Sequence, residues 1–317
     1  MKLGRRRLLL VSGAALAAAC APRVDLPGSA AAPSDSDELD EISRAIQSGG
    51  PPPDGIPPVD RPTYVSIAEA SKQWRDDALM DTVTIDGQAR AYPRFITVWH
   101  EIVNESADGR PIAITYCPLT GSTLVFSGQL ADGRTTTFGT SGMLSNSNLV
   151  MYDRATKSMW PQLLGVAVRG DRKGERLAEI GGAVTTTFGR WKAKFPDGVV
   201  LSKETGHARA YGTWPYGDYD TSSTVMFPVR ATDDRFHRKK IVVGIRVNGA
   251  ALAIPKDEFA QRREASIDVG GRELVARYDV ELDAVRVLDR RTLEAVSAYN
   301  VMWFAWYAFN PKTEVLR

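Results

Sequence analysis

VTIDGQARAYP, residues 83–93, decides the fold: it reads as two short strands around one tight turn, and the same frame returns as IRVNGAALAIP at 245–255. In both blocks β-branched and apolar residues alternate with polar ones, the period of a strand with one buried face. Asp86-Gly87 and Asn248-Gly249 supply the positive φ angles that a two-residue hairpin turn needs. The second block begins 162 positions after the first, and at that offset Gly109-Arg110 meets Gly271-Arg272 and Tyr116 meets Tyr278. One offset shared by separate blocks points to a duplication, with a first copy over about 83–126 and a second over about 245–288.

Similar runs surround these blocks: PIAITY at 111–116, TLVF at 123–126 and KIVVGIRV at 240–247. The expected class is therefore β-rich α+β, mainly antiparallel sheets with a few short helices, built from two related halves. The halves form either two lobes or one sheet system. Phe95, Ile96, Trp99, Ile102 and Val103 recur at three- and four-residue spacing after Pro93 and predict a helix there. A second helix is expected over 189–195, with Thr186 or Thr187 as its cap.

Upstream, Arg5 to Arg7 precede an apolar run from Leu8 to Ala19 and then Cys20. That is the architecture of a signal peptide over 1–20, too short to span a bilayer comfortably. LAAAC resembles a lipoprotein box, which would make Cys20 the lipidated first residue of the mature chain, and GRRRLL resembles a twin-arginine signal. The expected location is the periplasmic or extracellular face of the cell envelope, with the membrane as a partner through the lipid anchor. Residues 21–61, rich in Pro, Ala, Ser and Gly, read as a flexible tether with a helical turn around Asp37 to Gln47; the folded domain is expected over 62–317. Forty basic against 38 acidic residues are too nearly balanced for phosphate neutralisation, which argues against a nucleic-acid partner.

Only Cys20 and Cys117 are cysteines, so lipidation of the first leaves Cys117 without a disulfide partner. The duplication then serves as its own control. At the shared offset His100 corresponds to Arg262 and Cys117 to Asp279, which puts the candidate chemistry in the first half. Three readings of Cys117 stand side by side. It is a buried structural thiol; a thiolate ligand, with His100 and with Met143, Met151 and His207 as additional ligands, for copper or zinc; or a nucleophile with His100 as base and Glu101 as orienting carboxylate. The segment FGTSGMLSNSNLVMYDR at 138–154 is either an ordinary long turn or the polar lining of a cofactor pocket, with Ser141, Asn146 and Asn148 as candidates. It carries neither a phosphate loop nor a nucleophile elbow. Tyr211, Trp214, Tyr216 and Tyr219, and the cluster from Trp303 to Phe309, read as core or loop-pinning aromatics, with a binding cleft as the alternative.

YPRFITVWHEIVN, TYCPLTGS, FGTSGMLSNSNLVMYDRATKSMWPQ and FAWYAFNPKT, in that order, resemble the uncharacterised prokaryotic family catalogued as domain of unknown function 3179, over roughly Pro62 to the C-terminus. The resemblance implies that His100-Glu101, Cys117-Pro118 and the 141–153 segment lie in the family's motif blocks; it implies no activity. Three functions are open from the sequence: a metal or cofactor site in redox chemistry or metal handling, a cysteine-dependent enzyme acting on a small molecule or envelope component, and a binding or scaffolding module.

Overall fold

The structure, a computed structural model, describes residues 36–316. The signal segment, Cys20 and the first part of the tether lie outside the described residues. The chain forms five small sheets, mainly antiparallel, arranged as a five-bladed propeller with a few short helices.

Each copy of the repeat supplies two blades. In the first, strands Leu79–Ile85 and Gln88–Pro93 form the hairpin, with Asp86 at φ 51° and Gly87 at φ 76° in its turn. A short helix, Arg94–Thr97, leads to a three-stranded blade of Ile102–Ala107, Arg110–Cys117 and Ser122–Ser127. The second copy repeats the order with Ile241–Val247, Ala250–Pro255, helix Lys256–Arg262, then Glu264–Val269, Arg272–Asp279 and Ala284–Asp289. Each of these strands begins and ends 162 positions after its counterpart.

The chain then returns to each hairpin: Val184–Thr187 pairs antiparallel with Leu79–Ile85, and Ala298–Met302 with Ile241–Val247. A helix follows each, Phe188–Lys194 and Trp303–Phe309, and then a strand parallel to the second hairpin strand, Val199–Leu201 and Glu314–Val315. The spacing there falls to 115, as Phe188 against Trp303, because the fifth blade is inserted in the first copy alone. That blade holds Gln47–Ser48, Phe138–Ser145, Asn148–Asp153 and Met159–Pro161.

Two elements differ from expectation. The helix after Pro93 stops at Thr97, and Ile102 and Val103 belong to the next strand. Glu101, at φ 59°, turns the backbone out of helical geometry, and the β-branched pair beyond it packs better on a sheet. The other difference lies in residues 36–61, which are docked. Helix Ser36–Arg44 buries Leu39 and Ile42 beside Val150, Val166 and Val168 of the fifth blade, and Val59 bridges to Val103. Two apolar residues one turn apart suffice to seat a helix whose remaining composition is solvent-facing. Pro51 crosses so close to Gly142, at φ 71°, that a Cβ there would stand 1.9 Å from the Pro51 carbonyl oxygen.

The second expected helix is found as Phe188–Lys194, with Thr187 at the cap position. The aromatic cluster near the C-terminus is core: Trp303, Phe304, Trp306 and Phe309 are buried. Trp306 lies flat against Gly244, where a Cβ would meet its ring at 2.3 Å, and its indole N–H donates to Thr313 Oγ1 at 2.8 Å.

Candidate thiol site beneath a long loop

Residues 202–240 contain no helix or strand and pass over the region where Arg110–Cys117 ends. Irregular segments of this length inside a folded domain are commonly functional. This one is fastened at several points. Tyr219 Oη donates to the Leu119 carbonyl at 3.0 Å, and Ser147 Oγ donates to the Phe227 carbonyl at 2.7 Å. Asn146 Oδ1 accepts the Arg230 N–H at 2.8 Å, and the Asp233 carbonyl accepts Trp303 Nε1–H at 3.0 Å. Asn146 and Ser147 form the tip of the Phe138–Asp153 hairpin, both at positive φ. Their side chains therefore act as hooks for the loop.

Under the loop, Cys117 is 1% exposed. Its sulfur accepts the Leu149 N–H at 3.3 Å and lies 3.9 Å from the Ser147 carbonyl. Burial, and then the neighbouring Glu101 charge, push the thiol up to about 11. Glu101 is 7% exposed, and burial raises its carboxyl to about 8. Its backbone is firmly held, with N–H to the Thr97 carbonyl and carbonyl to Tyr116 N–H, both at 2.7 Å. Its carboxyl group has no hydrogen-bond partner among the described residues. Tyr216 is the third member: its phenol is raised by burial and then by the charges of Glu101 and Cys117.

The second copy shows what the same frame does without chemistry. Arg263 replaces Glu101 at the same positive φ, 70° against 59°, and its carbonyl accepts Tyr278 N–H at 2.7 Å as Glu101's accepts Tyr116's. Asp279 replaces Cys117; it accepts the Leu282 N–H at 3.1 Å and pairs with Lys194 at 2.5 Å. That copy closes its site with an ion pair. The first leaves a thiol and an acid that no ion pair closes, each within the other's electrostatic reach.

His100 is buried beside this pair but is directed elsewhere. Its Nδ1–H donates to the Pro57 carbonyl at 2.6 Å, which makes Nε2 the acceptor for Tyr211 Oη at 2.5 Å. Burial lowers the imidazole to about 4, so it is neutral near pH 7. Both nitrogens are engaged, neither with Cys117. His207 is exposed, its ring 5.6 Å from that of His100. Met151 is buried in the fifth blade and Met143 packs toward the N-terminal helix. Among the described residues no group of three or more His, Cys, Asp or Glu side chains is placed to hold a metal.

The polar candidates at 141–148 hold backbone. Ser141 Oγ accepts the Met143 N–H at 3.0 Å and donates to the Val150 carbonyl at 2.5 Å, pinning a bulge. Asn148 donates to Thr120 Oγ1 at 3.1 Å and to Gln162 Oε1 at 2.8 Å, and accepts Leu163 N–H at 2.8 Å. Gln162 in turn donates to Thr115 Oγ1 at 3.0 Å. This fully buried, satisfied network fixes the turn after Cys117 against the fifth blade. Arg94, which the motifs did not single out, is locked by two bonds of 3.0 Å to the Asp81 carboxylate and lies over the Tyr116 ring at 4.8 Å. Lys239 also escaped sequence reading, since it stands as an ordinary basic residue just before a strand.

The fold and this constellation define a five-bladed β-propeller protein with a thiol and a carboxyl buried under one long loop. A family model described as a protein of unknown function, DUF3179, matches residues 53–313, and the chain belongs to that family. No curated protein and no solved structure matches it.

Proposed function

We propose that the protein is a cysteine-dependent enzyme of the cell envelope that acts on a small molecule, with Cys117 as nucleophile and Glu101 as its proton acceptor and donor. The observation that carries this reading is the largely buried Glu101, whose carboxyl makes no hydrogen bond to the described residues and whose charge acts on the Cys117 thiol. Holding a carboxylate this far from water is costly to the fold, and its second-copy counterpart, the exposed Arg263, avoids that cost. A carboxyl raised to about 8 is poised for proton transfer near neutral pH, where a general acid–base works best. Glu101, rather than the doubly bonded His100, takes the base's place. In the step so assigned, the thiol proton passes to the Glu101 carboxylate and the sulfur bonds to an electrophilic carbon. The bond to the leaving group breaks with its electron pair, and Glu101 returns the proton to that group. The signal segment and Cys20 support the envelope location.

Iodoacetamide labelling of the native full chain tests the pair. Cys117 is expected to react in the folded state, with a rate that rises through the pH range where Glu101 ionises. Glu101→Gln should lower that rate at pH 8 by about tenfold or more. Equal rates in the two proteins would remove Glu101 from the chemistry, and failure of the folded chain to react at any pH would leave Cys117 a structural thiol. Stoichiometric metal in protein from its native host, lost in Cys117→Ser, would favour the metal-site reading instead.

A further inference from the structure

We propose that Lys239 holds an anion at the Cys117 site, so that the molecule taken there carries a carboxylate, phosphate or sulfonate group beside its electrophilic carbon. The inference rests on the reading of Cys117 and Glu101 given above.

Lys239 is a buried cation, 6% exposed, with an incomplete set of partners. Its ammonium donates one hydrogen bond, to the Tyr219 carbonyl at 2.9 Å, and lies over the Tyr219 ring at 2.9 Å and 5.5 Å from the Phe304 ring centroid. An ammonium has three donors, and ring faces satisfy neither of the other two as an anion does. Among the described residues no carboxylate lies within ion-pair distance of it. The acid whose charge acts on it is Asp220, which is exposed and feels Arg94 as well. The next residue, Lys240, is the contrast: partly exposed, it pairs with Asp257 at 2.6 Å and Glu258 at 3.2 Å. Removing a charge from water without a counter-ion is costly, and a protein that keeps such a group gains from what binds it.

Position ties this cation to the thiol. The Tyr219 hydroxyl, on the ring that Lys239 covers, donates to the carbonyl of Leu119, two residues after Cys117. The same turn offers the Thr120 carbonyl to Met302 N–H at 2.9 Å, while the Lys240 carbonyl accepts Trp303 N–H at 2.8 Å. The strand end at Met302-Trp303 thus joins the lysine and the turn after Cys117 in one frame, and Tyr219 feels the Cys117 charge directly. Burial lowers the ammonium to about 8, which leaves it charged at neutral pH. Arg94, the other buried cation nearby, already has its charge matched by the Asp81 carboxylate, which Lys239 lacks.

Two alkylating reagents of nearly one shape, iodoacetate and iodoacetamide, read the charge of the site. With either, the sulfur–carbon bond forms as iodide leaves. At pH 7 the ratio of Cys117 labelling rates, iodoacetate over iodoacetamide, should be about tenfold higher in the native chain than in Lys239→Met, with Lys239→Arg keeping the native ratio. Lys239→Gln provides a second neutral variant should the methionine form not fold. An unchanged ratio in the neutral variant overturns the inference while leaving the Glu101 dependence of labelling intact, so the two readings fail separately. If neither reagent labels Cys117, inorganic phosphate gives an independent readout. A rise in thermal midpoint in the native chain that Lys239→Met abolishes supports an anion site at Lys239, and no rise overturns it.

Discussion

At the level of single residues Glu101, the proton carrier of the proposed step, also sets a stability penalty with a definite pH signature. Its carboxyl titrates near 8 when folded against an ordinary value of 4.5. Between those values the folded chain binds more protons than the unfolded one, so this residue's contribution to stability falls as pH rises. Glu101→Gln should therefore stabilise the fold, little at pH 4.5 and by on the order of 2–4 kcal/mol at pH 8. Denaturant titrations of both proteins across that range check it, and a difference that does not grow with pH would show that Glu101 has a buried partner. A residue that weakens the fold yet supports the chemistry is the pattern expected of a site. Cys117 was readable as the chemical candidate because the duplicated frame replaces it with Asp279. The sequence offers His100 as base and Glu101 as its orienting carboxylate, and the structure engages both imidazole nitrogens with Pro57 and Tyr211. Neighbouring residues at a turn point to different sides, and where the His100 and Glu101 side chains go depends on the positive φ of Glu101, which neither residue type announces.

At the scale of elements, the 202–240 loop lies over the end of strand Arg110–Cys117, and one of its latches to the core is His100 with Tyr211. The Tyr211 hydroxyl also lies 2.5 Å from Thr205 Oγ1, so one phenol joins the loop to itself and to the helix end. Tyr211→Phe removes both bonds and leaves Nε2 of His100 without its donor, a loss of about 1–3 kcal/mol taken from local rather than global stability. Limited proteolysis within 203–213 should become several-fold faster while the thermal midpoint moves little. Acid should open the same latch. The imidazole is neutral when folded down to about pH 4 but ordinarily takes a proton near 6.5, so its stabilisation is present above 6.5 and declines as pH falls toward 4. The repeated hairpins were evident from Asp86-Gly87 and Asn248-Gly249, since turn chemistry is local. The helix expected through Val103 was not, because apolar spacing alone does not separate a short helix followed by a strand from one longer helix.

For the whole molecule, the pattern of two copies was visible in one offset, but the ring of five blades was not. Strand Ala298–Met302 packs against Ser122–Ser127, a contact between residues far apart in the chain whose faces carry no matching motif. The inserted fifth blade was equally hidden, because its outer strand, Gln47–Ser48, comes from a stretch whose composition resembles a linker. That blade connects the N-terminal helix to the site. Arg230 of the loop faces Glu38 at 3.7 Å and Glu41 at 3.5 Å on helix Ser36–Arg44, while its backbone N–H is held by Asn146. Exposed ion pairs of this length contribute little alone, so Leu39 and Ile42, buried on the fifth blade, must seat the helix that presents the two acids. Leu39→Ala with Ile42→Ala should undock the helix, release Arg230 and loosen the loop over Cys117. The expected result is several-fold faster iodoacetamide labelling of Cys117 with a cooperative thermal transition retained. Cleavage after Arg44 by trypsin, faster in the double variant, would verify that the helix had left its seat. If that cleavage accelerates and labelling does not, the loop closes over the thiol on its own hooks, Asn146 and Ser147, and the N-terminal helix serves only to cover the fifth blade.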